Sequence, residues 1–112
     1  MIAYNRTRDR LLASKVFKAD TAWTRARGLL GRGSLEPQEA MWIAPCAMIH
    51  TFFMRFNIDV VFLDGGLRVV RVSENIRPWR VSPWVPRARS VLELMGGTIK
   101  GSVQTGDRVE LR

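Results

Sequence analysis

An apolar run broken by one carboxylate, Ile58-Asp59-Val60-Val61-Phe62-Leu63, leads directly into Asp64-Gly65-Gly66 and then into a second β-branched stretch at 67–72. Six residues of this type between turn formers read as a strand and are too few for a helix. Asp-Gly-Gly is a tight-turn signal, so 58–63 and 67–72 are expected to pair as a hairpin. A two-stranded hairpin does not bury itself, so further strands and covering segments must complete the fold.

The rest of the chain supplies them. Residues 11–18 are strand-like though imperfectly alternating, 41–43 form a short buried strand, and 51–56 read as extended. Residues 90–95 form another strand, broken by Gly96-Gly97, and Thr105-Gly106-Asp107 turns the chain into a last strand at 108–111. One segment has a different period. Asp20-Thr21 offers N-cap chemistry, Ala22, Trp23, Ala26, Leu29 and Leu30 recur at spacings of three and four, and Gly31 or Gly33 can end a helix in the left-handed conformation. Gly28 lies inside that pattern; its cost of about 1 kcal/mol relative to Ala points to close backbone contact there. Residues 77–86 hold three of the five prolines and two of the four tryptophans. Proline excludes central strand pairing, so this is expected to be an ordered covering loop. The sum is a mainly β chain: a small antiparallel β-sandwich or barrel with one short N-terminal helix and a Trp/Pro-rich covering loop.

With 112 residues, the chain is read as a single domain, 1–112, with a basic N-terminal arm at about 1–10. At 46% apolar and 25% charged it has the ordinary globular mixture. A lone cysteine forms no internal disulfide, which fits a reducing, cytoplasmic setting. No apolar stretch reaches the roughly 18 residues a transmembrane helix needs, and the charges at Arg6, Arg8 and Arg10 come too early for a secretory signal. The net charge of +8 comes from 15 Arg and 3 Lys against 10 acids. Such a domain attracts nucleic acid and anionic surfaces. The arginines are scattered, with no run of five or six, so binding of that kind is expected to be weak and not sequence-specific.

Reactive chemistry is concentrated in 45–64, which holds the only cysteine, Cys46, and the only histidine, His50. Four residues apart on a strand, they would be about 13 Å apart and out of contact; on a helix or tight turn they would be neighbours. Pro45 places a bend before Cys46, not between the two. The plain alternative is a small buried thiol and a hydrogen-bonded structural histidine. Asp59 and Glu93 both sit in apolar strands, where a charge needs a partner or becomes neutral. They read either as carboxylates tied to arginine or backbone N–H groups, or as two acids facing one cleft. Structural zinc takes four N or S ligands and blue copper two histidines; only a mixed Cys46, His50, Asp59, Glu93 set would remain. No metal site and no cofactor are expected. Met41, Met48, Met54 and Met95 read as core filler.

Trp79 and Trp84 are interleaved with Arg77, Arg80, Arg87 and Arg89. They would plug the core from the covering loop, meet a partner protein, or stack bases while arginines hold phosphates. Trp79, Arg80, Trp84 and Arg55 are the candidate binding surface.

Taken together, Arg-Gly-Leu-Leu-Gly at 27–31, the stretch Pro-Cys-x-x-Ile-His-Thr-Phe-Phe-Met-Arg-Phe-x-Ile-Asp-Val-Val-Phe-Leu-Asp at 45–64, Pro78-Trp79-Arg80, Val91-Leu92-Glu93-Leu94 with Gly96-Gly97, and Gly106-Asp107 resemble the bacterial and archaeal family known as domain of unknown function 192. The resemblance covers about residues 16–109. It implies a compact, mainly β domain of jelly-roll-like sandwich character with a short N-terminal helix, and it carries no established activity or cofactor. The family's central motif more often has a Gly before Met and an aromatic-Met-Lys-Asn-Thr stretch. Here Ala40 precedes Met41, and His50-Thr51 with Phe53-Met54-Arg55-Phe56 replace the Lys-Asn-Thr wording, which leaves Asp59 and Glu93 as the shared acids. Some relatives are secreted; this chain shows no such signal. The expectation is a small soluble non-catalytic binding or accessory domain whose partner is a protein or small molecule. The alternatives are an enzyme using Cys46 or His50 with Asp59 and Glu93, and a weak nucleic-acid-binding protein.

Overall fold

A computed structural model describes residues 1–19, 35–52 and 54–112. Among these the strands are β1 (Ala3–Asn5), β2 (Arg10–Ala13), β3 (Lys15–Ala19), β4 (Glu39–Ile43), β5 (Ile58–Leu63), β6 (Val69–Ile76), β7 (Ser90–Met95) and β8 (Val109–Leu111). They form a five-stranded sheet of order β3-β4-β7-β5-β6 and a three-stranded sheet of order β2-β1-β8. The hairpin expected from Asp64-Gly65-Gly66 is the β5–β6 pair. Its turn is held by the Asp64 carboxylate, which accepts from the backbone N–H groups of Gly66 and Arg68, both at 2.9 Å.

The centre of the larger sheet explains its sequence. β5 and β7 each have strand neighbours on both sides, and both faces of the sheet are covered, so nearly every residue of IDVVFL and SVLELM is buried. Strands covered on two faces lose the polar alternation of a half-exposed sheet. Register then assigns the faces, since directly opposed residues project the same way. Asp59 opposes Leu94, Val61 opposes Leu92, and Val60 opposes Glu93. On one face Val61, Leu63, Leu92, Leu94 and Ala40 meet Ala3, Leu12, Ala13 and Val109 of the smaller sheet. On the other, Ile58, Val60, Phe62, Val91 and Ile43 are covered by Ile49, Met54, Val85 and Ala88 from two long loops.

The expected architecture needs correction. The chain is mainly β and has two sheets, but the described residues contain no helix, and the segment read as helical, 20–33, lies outside them. The larger sheet is mixed, because β3 runs parallel to β4 from Lys15↔Glu39 to Ala19↔Ile43. The two sheets remain separate, so neither a closed barrel nor a purely antiparallel jelly-roll-like sandwich forms. Turn signals mark where strands end but carry no information on direction across a long connection; residues 20–38 are long enough for the crossover a parallel pair requires. The strand read at 11–18 is two strands in different sheets. The chain turns the corner at Ser14, where the N–H groups of Ser14 and Lys15 both donate to Gln38 O, at 2.9 and 3.1 Å. The described residues of 51–56 hold no strand. Residues 1–10, basic on the outside, contribute β1, the middle strand of the smaller sheet. Its Asn5 is fully buried and its amide donates to Asp107 Oδ2 at 2.9 Å and Ser102 O at 3.1 Å.

One side chain ties three parts of the fold together. Asp59 is fully buried. Its Oδ1 accepts from the backbone N–H groups of Asn75 (2.8 Å) and Gly97 (3.2 Å), and its Oδ2 accepts from Ile99 (2.9 Å). Asn75 sits at φ 54, where the β5–β6 register slips between Ile58 and Val60, so the carboxylate satisfies an N–H that the bulge removes from the ladder. Beside it, Gly96 lies so close to Asn57 that a Cβ would fall 2.9 Å from the Asn57 carbonyl oxygen. Asp59→Asn keeps one acceptor oxygen and turns an NH2 toward backbone donors. Leaving buried N–H groups unpaired at about 1–3 kcal/mol each, it is expected to destabilise the domain by roughly 3 kcal/mol in a urea titration; a change within a few tenths of a kcal/mol would contradict this role for the carboxylate.

Candidate functional site

The loops over the second face, residues 46–56 and 77–89, are fastened to each other by their backbones. Val85 N–H donates to Ala47 O and Ser82 N–H to Ile49 O, both at 2.9 Å, and His50 bridges to Val81. Thr51 is the hub. It is fully buried; its N–H donates to Arg80 O at 2.8 Å and its carbonyl accepts from Trp79 N–H at 2.9 Å. Its Oγ1 donates to Arg77 O at 2.6 Å and accepts from Arg80 N–H at 2.8 Å. Ser82 repeats the device: its Oγ accepts from Ile49 N–H at 2.9 Å and donates to Pro83 O at 3.1 Å. Sequence reasoning missed both residues. Their only signal is a small hydroxyl set within otherwise apolar or proline-rich loop sequence.

In the covering loop every third residue points inward: Ser82, Val85 and Ala88 are buried, while Trp79, Arg80, Val81, Pro83, Trp84, Pro86, Arg87 and Arg89 are exposed. Val85 and Ala88 therefore plug the core, and the tryptophans do not. Trp79 and Trp84 are 56% and 65% exposed, and Met48, Phe52 and Val81 on the same two loops are exposed as well. The rings form a row. His50 and Phe52 have centroids 5.2 Å apart with planes tilted 31°, and Phe52 and Trp79 are 5.9 Å apart, tilted 34°. Trp79 is held at φ 65, a left-handed conformation that is an outlier for a bulky side chain. Its cost is of order 1–3 kcal/mol, and such strain concentrates at functional surfaces.

Charge on these loops is one-sided. Residues 46–56 and 77–89 carry Arg55, Arg77, Arg80, Arg87 and Arg89 and contain no Asp or Glu. All five arginines are exposed. Among the described residues the ion pairs join Arg6 and Arg112 to Glu110 and Arg8 to Asp107, on the smaller sheet.

The four candidate reactive residues do not converge. Cys46, half-buried, donates its thiol to Met48 O at 3.1 Å, whereas the exposed His50 accepts from Phe52 N–H at Nδ1, 3.3 Å away. No hydrogen bond joins the two. Asp59 and Glu93 lie on opposite faces of the larger sheet, because their opposed partners are Leu94 and Val60. Asp59 faces the smaller sheet. Glu93 faces the loops, flanked by Met41 and Val60, and is 4% exposed. Burial pushes its carboxyl up to about 7. Among the described residues no three His, Cys, Asp or Glu are grouped as a metal would require. A hollow of about 320 Å³ bounded by Leu11, Leu12, Ala13, Ser14, Pro37 and Thr98 contains none of the candidates. No helix of the described residues is long and apolar enough to cross a membrane.

Comparison with known proteins identifies the family and supports the fold. Residues 3–111 match the family described as DUF192, Uncharacterized ACR, COG1430. The chain belongs to this family. A UPF0127 protein of Pyrococcus horikoshii is 38% identical over 100 residues, which is 82% of this chain and 83% of that one. Another, of Thermococcus sibiricus, is 33% identical over 114 residues, covering 95% and 71%. Among solved structures, a protein of unknown function from Novosphingobium aromaticivorans superposes with a TM-score of 0.85 at 24% identity, covering 98% of this chain and 83% of its own. A candidate transcription regulator of Sinorhizobium meliloti gives 0.80, also at 24% identity, covering 97% and 89%. At that identity the likeness is one of fold. The family is one of unknown function.

Two outcomes test the site's architecture. Glu93 favours its neutral form in the folded chain, so between its ordinary 4.5 and its folded value of about 7 the native state holds a proton that the unfolded chain releases. The contribution of Glu93 to stability is therefore full below about pH 4.5 and falls as pH rises to 7, by on the order of 3 kcal/mol. Glu93→Gln is expected to remove that decline, making the variant the more stable protein at pH 8 in paired urea titrations at pH 5 and 8. Separately, Thr51→Val keeps shape but orphans the Arg80 N–H. It is expected to cost about 1–3 kcal/mol and to speed amide exchange at Arg80 and Ser82 more than in β5.

Proposed function

We propose that this chain is a non-catalytic binding domain whose working surface is the pair of loops at 46–56 and 77–89. The observation that carries this reading is that the two laced loops together present the exposed rings of His50, Phe52, Trp79 and Trp84 and five exposed arginines, with no acid. Exposed apolar patches on a small domain mark interaction sites, and Trp and Arg carry most interface energy. Buried Thr51 and Ser82 hold the two loops in fixed register, so little ordering is left to oppose binding. Cys46 and His50 contribute the edge of this surface, with Arg55 and Arg80 as its charges. The separate hydrogen bonding of thiol and imidazole, and the placement of Asp59 and Glu93 on opposite faces, weigh against an enzyme built from the four.

A two-dimensional amide spectrum titrated with 2-naphthalenesulfonate, a planar aromatic anion, tests the reading. The expected shifts fall on amides of the two loops and are lost in Trp79→Ala, Trp84→Ala double-substituted protein. Shifts centred instead around β7 or the Leu11–Thr98 hollow would move the binding surface elsewhere.

A further inference from the structure

Resting on the binding-domain reading, we infer that the partner of the two-loop surface is single-stranded nucleic acid, with bases stacked on Trp79, Phe52 and Trp84 and phosphates held by Arg55, Arg77, Arg80 and Arg87.

Charge narrows the partner first. The two loops carry five arginines and not one carboxylate. No ion pair among the described residues involves any of the five, so they are available to a polyanion. The aromatic row narrows it further. A carboxylate-rich peptide would neutralise the guanidinium groups but would leave three large ring faces in water. A duplex would likewise offer only its phosphates, because its base faces are already stacked at about 3.4 Å. A single strand offers both complements, alternating a phosphate with a planar base, and base–aromatic stacking tolerates any sequence. The rings are tilted side by side at 5.2 and 5.9 Å, too close for a base to enter between them. Bases would therefore lie on their outward faces, which the exposed Trp79 and Trp84 present. An anionic membrane would draw on the same arginines, but insertion favours apolar side chains projecting from one tip. Here the rings lie along two loops laced together across the face of the sheet through Thr51.

The surface also lacks the side chains that read adenine and cytosine edges. Neither 46–56 nor 77–89 contains Asn, Gln, Asp or Glu, the side chains that pair with the edges of adenine and cytosine. Binding is therefore expected to follow charge and base exposure rather than sequence.

Fluorescence anisotropy with fluorescein-labelled dT12 tests the inference, with the dT12·dA12 duplex, polyglutamate of equal charge and phosphatidylglycerol vesicles as competitors. The expected result is salt-dependent binding of dT12, with a log–log slope of about −2 to −3.5 if three to five phosphates are neutralised, and competition at least tenfold weaker by each of the other polyanions. Trp84→Ala should weaken dT12 about tenfold with the slope unchanged, as loss of one stacked base requires. Arg77→Gln with Arg80→Gln should flatten the slope. Both tryptophans are exposed, so the variants are expected to fold, which their amide spectra would report. Equal competition by duplex, polyglutamate or vesicles, or unchanged affinity in both Trp79→Ala and Trp84→Ala, overturns the inference. If dT12 fails to bind at low salt while 2-naphthalenesulfonate still shifts the loop amides, the nucleic-acid inference falls and the binding-domain reading stands.

Discussion

A fully buried carboxylate that accepts from three backbone donors is the constraint on which this fold turns. Asp59 lies in the second most central strand, and its oxygens reach the bulge near the end of β6 and the turn after β7. A carboxyl group at such depth is tolerable because donors surround it. Those donors belong to irregular backbone that no ladder satisfies. Each therefore solves the other's problem: the bulge and turn leave N–H groups without partners, and the carboxylate would otherwise be desolvated without compensation. This reciprocity fixes where β6 slips register and where the chain leaves β7.

The second acid follows a different logic on the other face. Glu93 is the near neighbour of Asp59 across β5–β7, offset by one residue, and that single step sends it to the opposite side. There it meets Met41 and Val60 rather than backbone donors, and burial raises its pKa. Two carboxylates in similar apolar strands thus have different surroundings, one wrapped by backbone N–H donors and one biased toward neutrality by desolvation. Neither the residue type nor the flanking sequence separates them; the cross-strand partner does.

The parts of the fold legible in the sequence are those governed by local rules. The β5–β6 hairpin announces itself through Asp64-Gly65-Gly66, β7 through its apolar run closed by Gly96-Gly97, and β8 through the Thr105-Gly106-Asp107 turn. What was hidden depends on distant partners. The break at Ser14 follows from Gln38 O, 24 residues away, and β3 pairs in parallel with a strand that begins only at Glu39. Residues 1–10 look like a solvated arm because Arg6, Arg8 and Arg10 dominate them, yet Asn5 is buried against Asp107, 102 residues on. The site was legible in composition and illegible in orientation. Trp79, Arg80, Trp84 and Arg55 stand out by type, but only the inward period of Ser82, Val85 and Ala88 shows which way the loop faces.

That period has a further consequence for how the surface is maintained. Tryptophan in a proline-rich loop over a hydrophobic sheet would ordinarily be drawn inward, since burying such a ring is among the largest gains available to a small core. Here the inward positions are taken by small side chains, and the loop lies close to the sheet because Val85 and Ala88 need little depth. The hydrogen bonds of Thr51 lock the strained backbone at Trp79 in the conformation that turns its ring outward. Holding a large apolar ring in water against both strain and the hydrophobic effect requires a rigid support, and the two hydroxyls beneath the loops provide it.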